Sequence, residues 1–239
     1  KVSYINKELT LKNSAVNERR AILVRFIDPN GMDIFIYHWV GDDYGEGVWK
    51  KGHYNKETGA LLEAFAKTKV GYTFLSKYAK AGQKIGSIEF KTDGIYHKQN
   101  LNFYEFKTRG AASGARIIEN KDNLNFNIQL NTVSLDNPGG KESYYVTIGH
   151  ETLIHIDQVD DNLIEAFHNN KAKFRSLMEK QKENEYNRGD FDHKKYINGD
   201  KNYNSFNLYI KQLQKLVNPN LIQKAREKHD ENYQKFRKK

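Results

Sequence analysis

The chain has 239 residues, a net charge of +9 and no cysteine. It is long enough to bury one generous core or two small ones, and it has neither a disulfide framework nor a cysteine-held metal. Hydrophobic residues make up only 38%, yet aromatics reach 13%, with 15 Tyr and 13 Phe, and chains that stay disordered are poor in aromatics. No apolar run approaches the ~18 residues of a membrane span, and the N-terminus carries no signal-peptide pattern. Lys1, where Met would begin a complete chain, reads as the start of a fragment or a processed product. The positive balance, concentrated at 224–239, suits nucleic acid, an anionic membrane or an acidic protein partner and selects none of them.

Residues 1–25 are polar, with one weakly alternating stretch at 7–12. Asp28-Pro29-Asn30-Gly31 follows, a turn in which Pro presets φ and Asn-Gly tolerates positive φ. The longer string Phe26-Ile27-Asp28-Pro29-Asn30-Gly31-Met32-Asp33 resembles the D-P-x-G end of the RHS-repeat shell of bacterial polymorphic toxins. In that family the motif marks the junction with a variable C-terminal toxin domain, often released by cleavage just after it. The resemblance implies residues 1–32 as the end of the shell or a linker, and residues 33–239 as a toxin domain. The family's usual Asn-Pro run does not precede the junction here.

From 33 to 140 the pattern is mainly strand with one helix. Residues 34–40, IFIYHWV, read as a buried strand. Gly41-Asp42-Asp43-Tyr44-Gly45-Glu46-Gly47 reads as a solvated turn, since the spacing of a calcium-binding EF-hand is absent. Residues 56–78 carry a helical period interrupted at Gly71. Residues 85–90 and 101–106 alternate like half-exposed strands joined through a turn at Thr92-Asp93-Gly94. Residues 124–130, LNFNIQL, alternate most cleanly; a strand of this kind before a peptidase helix can pair with an extended substrate.

After the break at Asn137-Pro138-Gly139-Gly140 one helix is expected from Ser143, as N-cap, to about His168. Charged or basic helices are expected at 171–187, 203–217 and 220–237, with a loop at 188–193. Strands in the middle and helices toward the C-terminus give an α+β fold, a mixed or antiparallel sheet packed with a helical C-terminal half. On the first of these helices lies Ile148-Gly149-His150-Glu151-Thr152-Leu153-Ile154-His155. A lone histidine in an apolar run is most often a packed core residue; two, with a glutamate after the first, suggest a metal site. The zinc-peptidase helix reads H-E-x-x-H, with both imidazoles on one face. Here the spacing is H-E-x-x-x-H, and at about 100° per residue the second histidine leaves that face unless a π-type turn absorbs the extra residue. The spacing resembles the dipeptidyl-peptidase III family of zinc peptidases, which implies a zincin-like helix binding Zn2+ through His150 and His155.

A catalytic zinc takes three protein ligands and leaves a position open. Glu151 is placed as the general base, taking a proton from the attacking water. The third ligand is open among Asp157, Asp160, Asp161, Glu165, His168, Glu179, Glu183, Asp190, Asp192 and His193. His193 is the choice, with Asp192 as its supporting partner or substitute, because the segment Asp192-His193 to Tyr196 and Gly199 resembles a D-H-x-x-Y-x-x-G segment of related toxin domains.

The two resemblances together imply a zinc-dependent metallopeptidase toxin, expected as a secreted or delivered bacterial effector that cleaves a protein or peptide substrate in the target cell. Family habit implies a cognate immunity protein, for which an acidic surface would complement the +9 charge. Two alternatives differ in class. One is a nuclease or nucleic-acid-binding effector, which the charge and aromatics would serve but no nuclease constellation supports. The other is a non-enzymatic module in which the histidines are structural or hold a structural metal.

Overall fold

The structure, a computed structural model, describes residues 34–41, 47–52, 55–109, 112–186 and 204–237. The turn at 28–31, the loop at 42–46 and the segment with Asp190, Asp192 and His193 lie outside the described residues. The fold is α+β around a mixed five-stranded sheet of order β2-β1-β5-β7-β6. Its strands are β1 (Ile34–Gly41), β2 (Gly47–Lys51), β5 (Asn100–Phe106), β6 (Gly114–Glu119) and β7 (Leu124–Asn131), while β3 (Lys84–Ile85) and β4 (Ile88–Glu89) form a separate small hairpin. β1, β5 and β7 run parallel; β2 and β6 pair antiparallel at the two edges.

Alternation explains the layering, because residues two apart along a strand share a face. Ile34, Leu101, Phe103, Phe126 and Ile128 form one buried face, in the same core as Leu61 and Phe65 of α1 (Lys56–Lys67) and Ile148 of α3 (Gly140–Leu153). The other face is aromatic: Phe35, Tyr37, Trp49, Tyr104 and Phe106 form a second buried cluster, with Tyr37 and Tyr104 stacked at 4.8 Å. Beside it Asn102 donates to Asn127 at 2.7 Å, and both asparagines are buried. The half-exposed strand expected at 101–106 is thus a fully covered central one. Both edges of β7 are occupied, by β5 and β6, which rules out the expected pairing of a substrate along it.

The expected helix over 56–78 divides at Thr68 rather than Gly71. Thr68 ends α1 and caps α2 (Lys69–Ser76), donating to the Phe65 carbonyl at 2.7 Å and accepting from the Gly71 N–H at 2.9 Å. Gly71 sits inside α2, where a Cβ would lie 2.0 Å from the Phe65 carbonyl oxygen. The segment at 85–90 makes only the tight β3–β4 hairpin, turning at Gly86 with φ +57°.

The C-terminal half holds α4 (Asp160–Asn169), α5 (Lys171–Tyr186), α6 (Asn204–Leu213) and α7 (Pro219–Arg237). The single helix expected over 143–168 is instead α3 and α4, separated by a turn at 154–159. The start of α3 is capped by Gly139 in the left-handed region at φ 73°, and Ser143 lies within the helix. α3 is buried almost all round, as a central helix should be. Across the turn, Lys77 bonds Asp157, Asp160 and Asp161 at 3.0, 3.2 and 3.2 Å, and the Tyr78 hydroxyl donates to Asp160 at 2.7 Å. This network fixes the start of α4. Among the described residues no helix is long and apolar enough to cross a membrane.

Candidate metal centre

α3 carries His150 and Glu151 into the core, with only 1% and 6% of their surface exposed. Gly149 makes room: a Cβ there would lie 2.3 Å from the Tyr209 ring, so α6 can approach this side of α3 and seat Phe206 edge-on against the His150 imidazole. His155 is not on the helix. α3 ends at Leu153, and the chain then closes a wide turn in which the Asp157 N–H reaches the Thr152 carbonyl at 3.0 Å, five residues back. The extra residue of the motif is thus taken up where the helix ends, and His155 returns to its partner: the two Nε2 atoms stand 3.1 Å apart. Glu151 Oε2 is 3.9 Å from His155 Nε2.

These three side chains each offer a ligand atom, all within 4.8 Å of one another. Tetrahedral zinc with ligands at about 2.0–2.1 Å places ligand atoms roughly 3.3 Å apart. The histidine pair, 3.1 Å apart, matches that spacing closely, whereas the three ligand atoms together span up to 4.8 Å, so the carboxylate has to move in to join them. Two imidazoles and a carboxylate are also a donor set that suits zinc.

A second feature prepares His150 as a ligand. His229, on α7, places Nε2 3.0 Å from His150 Nδ1, and its own Nδ1 is 3.0 Å from Asp230. Arg226, one turn back, donates to both Asp230 oxygens at 2.9 and 2.8 Å and lies over the Phe206 ring. Burial acts to raise the Asp230 pKa, but the bonds from His229 and Arg226 outweigh it and leave it lowered; burial holds the His229 pKa below its usual value. The proton positions follow. Ionised Asp230 accepts Nδ1–H of neutral His229, whose Nε2 lone pair accepts Nδ1–H of His150. His150 then presents a lone pair at Nε2, the atom that faces His155. A histidine backed in this way, with its second ring nitrogen bonded outward, is the usual arrangement of a metal ligand.

Glu151 is the strongly perturbed group of the centre. Burial raises its carboxyl to about 7, with only a partial offset from His155.

The other candidate ligands lie elsewhere. Asp157, Asp160 and Asp161 are engaged with Lys77, Glu165 faces Lys173, His168 bonds Gln99 and Glu179 bonds Lys182. His193, with Asp192 and Asp190, lies outside the described residues, as does the side chain of Glu183. His229 and Asp230 escape a search outward from the motif, but the sequence holds a trace of them. Ile222, Ala225 and His229 fall at i, i+3 and i+7 of a basic helix, which places a histidine on its buried stripe.

No protein-family model matches the chain, and neither does any curated protein or solved structure.

Proposed function

We propose that the chain is a zinc-dependent hydrolase of the metallopeptidase type, acting as the toxin domain of an RHS-type bacterial effector. The observation that carries the metal reading is the convergence of one ligand atom each from His150, Glu151 and His155 within 4.8 Å, with His150 backed by the His229–Asp230 pair. The toxin reading rests on the Asp28–Gly31 junction motif, and the peptidase reading on the H-E-x-x-x-H resemblance. An immunity protein with an acidic surface is the partner this reading implies.

His150 and His155 would hold the ion with His193 as the third ligand, which leaves Glu151 unbound beside it. Bound zinc supplies Lewis acidity, polarising a scissile carbonyl and acidifying water. Glu151 performs the proton work. Buried beside the ion, its carboxylate is placed to take a proton from the attacking water and return it to the leaving amine. The His229–Asp230 pair keeps His150 in one tautomer and one orientation throughout.

Glu151→Gln tests the base. The variant should keep its zinc and lose hydrolysis of an unfolded protein substrate by about 10²-fold or more. Loss of the zinc together with the activity would make Glu151 a ligand instead.

The near-complete burial of His150 and Glu151 favours one other reading, a structural zinc that pins α7 to α3. In that case chelation lowers the melting temperature while no peptide bond is cut under any condition.

A further inference from the structure

The turn between α6 and α7 leaves apolar surface in solvent. Leu216 is 50% exposed and Leu221 41%, although the residue after each, Val217 and Ile222, packs inward against the core. The backbone of this tip is bonded on both sides. The N–H groups of Leu216 and Val217 reach the Leu213 carbonyl at 2.9 and 3.0 Å, and the Asn218 side chain caps α7 by accepting from the N–H groups of Asn220 and Leu221 at 3.1 and 3.4 Å. Pro219 supplies the fixed φ that suits the first helical position. Behind the tip the Gln214 side chain donates to Gln223 at 3.2 Å and ties the two helices together.

Lysines frame the tip. Lys215 and Lys224 are each next in sequence to a glutamine of that bridge, and Lys211 and Lys228 follow one turn further back on α6 and α7. All four are exposed, and none makes an ion pair among the described residues, whereas Lys67, Lys107 and Lys182 each meet a carboxylate. The reason lies in the sequence, which has no Asp or Glu from Asn204 to Arg226. Glu227, the first carboxylate of α7, takes the Gln223 side chain at 2.9 Å.

Aliphatic groups at a tip with uncompensated cations behind them match the layering of an anionic bilayer surface, with acyl chains inside and charged headgroups outside. Lysine suits the outer layer, because its stem lies along apolar surface while the ammonium reaches a headgroup. Nucleic acid fits less well. It is held by stacking on aromatic rings as well as by charge, and the aromatic residues of α6, Phe206 and Tyr209, are buried. A stable protein partner needs roughly 800 Å² on each side, more than two leucines and a turn offer.

We propose that the α6–α7 tip is a membrane-docking element. It inserts Leu216 and Leu221 into the interface of an anionic bilayer and sets Lys211, Lys215, Lys224 and Lys228 on the headgroups. A shallow anchor of this kind binds reversibly. Salt weakens it, because the attraction of lysine to the headgroups falls off within a Debye length. Zinc plays no part in it.

The test is sedimentation of the full chain with vesicles of phosphatidylcholine, alone or mixed with phosphatidylserine. The wild type should bind the mixed vesicles about 10-fold more tightly and lose that preference in high salt. Leu216→Asn with Leu221→Asn should weaken binding about 10-fold at an unchanged melting temperature, since both side chains are exposed. Because the chain lacks cysteine, Asn220→Cys accepts a single environment-sensitive dye, whose emission should shift to the blue on the mixed vesicles. Binding that the leucine changes leave untouched, or a dye that stays in water, would overturn insertion. A wild type that binds no vesicles would overturn docking altogether. Salt-sensitive retention on a DNA oligonucleotide would then assign the lysines to nucleic acid, and a dimer that the leucine changes dissociate would make the tip a contact between two copies.

Discussion

His150 is the residue on which the account turns, and its properties come from three other elements. Its burial comes from α3, its neighbour His155 from the turn after α3, and its tautomer from His229 and Asp230 on α7. Replacing His229 by Leu removes the acceptor of His150 Nδ1–H and breaks the link to Asp230. Zinc affinity, measured by competition with a chelating indicator, should then fall 10- to 100-fold, the usual effect of losing such a partner. An unchanged affinity would mean that His229 packs against His150 without orienting it. At this scale the sequence was partly legible. His150, Glu151 and His155 stand out because two histidines and a glutamate interrupt an apolar run. His229 does not, since it is 79 residues away from the residue it contacts and only the packing of α7 on α3 brings them together.

Among the elements, α3 and its exit set the geometry. Periodicity carried the apolar stripe past 153 and suggested one helix, because Ile156, Val159 and Leu163 continue it; the bond from Asp157 to Thr152 and the Lys77 network break the helix without disturbing that stripe. Side-chain pattern cannot show such a break, since the residues of the turn are buried like those of a helix. Strand β7 was read correctly as a strand but not as an interior one, because its asparagines pair with those of β5 rather than meeting water. β6 was not anticipated at all: its only contiguous apolar pair is Ile117-Ile118, too short a pattern to declare a strand. Gly149 offers a test at this level. Gly149→Ala puts a methyl group 2.3 Å from the Tyr209 ring, and the overpacking should cost on the order of 1–3 kcal/mol, read by calorimetry. A neutral or stabilising result, as expected for glycine to alanine in an uncrowded helix, would show that α6 does not press on α3 there.

For the molecule as a whole, stability should depend on pH through Asp160. Burial raises its pKa from 3.8 to about 7, against the opposing pull of Lys77 and Tyr78. The folded chain therefore binds a proton that the unfolded chain has already released between those values. The contribution is complete below about pH 4, declines as the pH rises toward 7 and changes no further above it. Denaturant titrations of metal-free wild type and Asp160→Asn should show the wild type losing stability relative to the variant as the pH rises over that interval. Glu151, with its raised carboxyl, and His229, whose lowered pKa acts in the opposite direction, contribute equally to both proteins and cancel in the difference. An identical slope in the variant would contradict this assignment. The α+β class was legible from the strand-rich middle and helical end, whereas the strand order was not, since β1 and β5 pair across more than 60 residues that include two helices.

The most direct test of the central claim is the zinc content of the purified protein, by elemental analysis, for wild type and His150→Ala. The account predicts about one zinc per chain in the wild type and none in the variant. A wild-type protein that takes up no zinc when it is supplied would contradict it, and would leave His150, His155 and His229 as a buried hydrogen-bonded chain that joins α3 to α7.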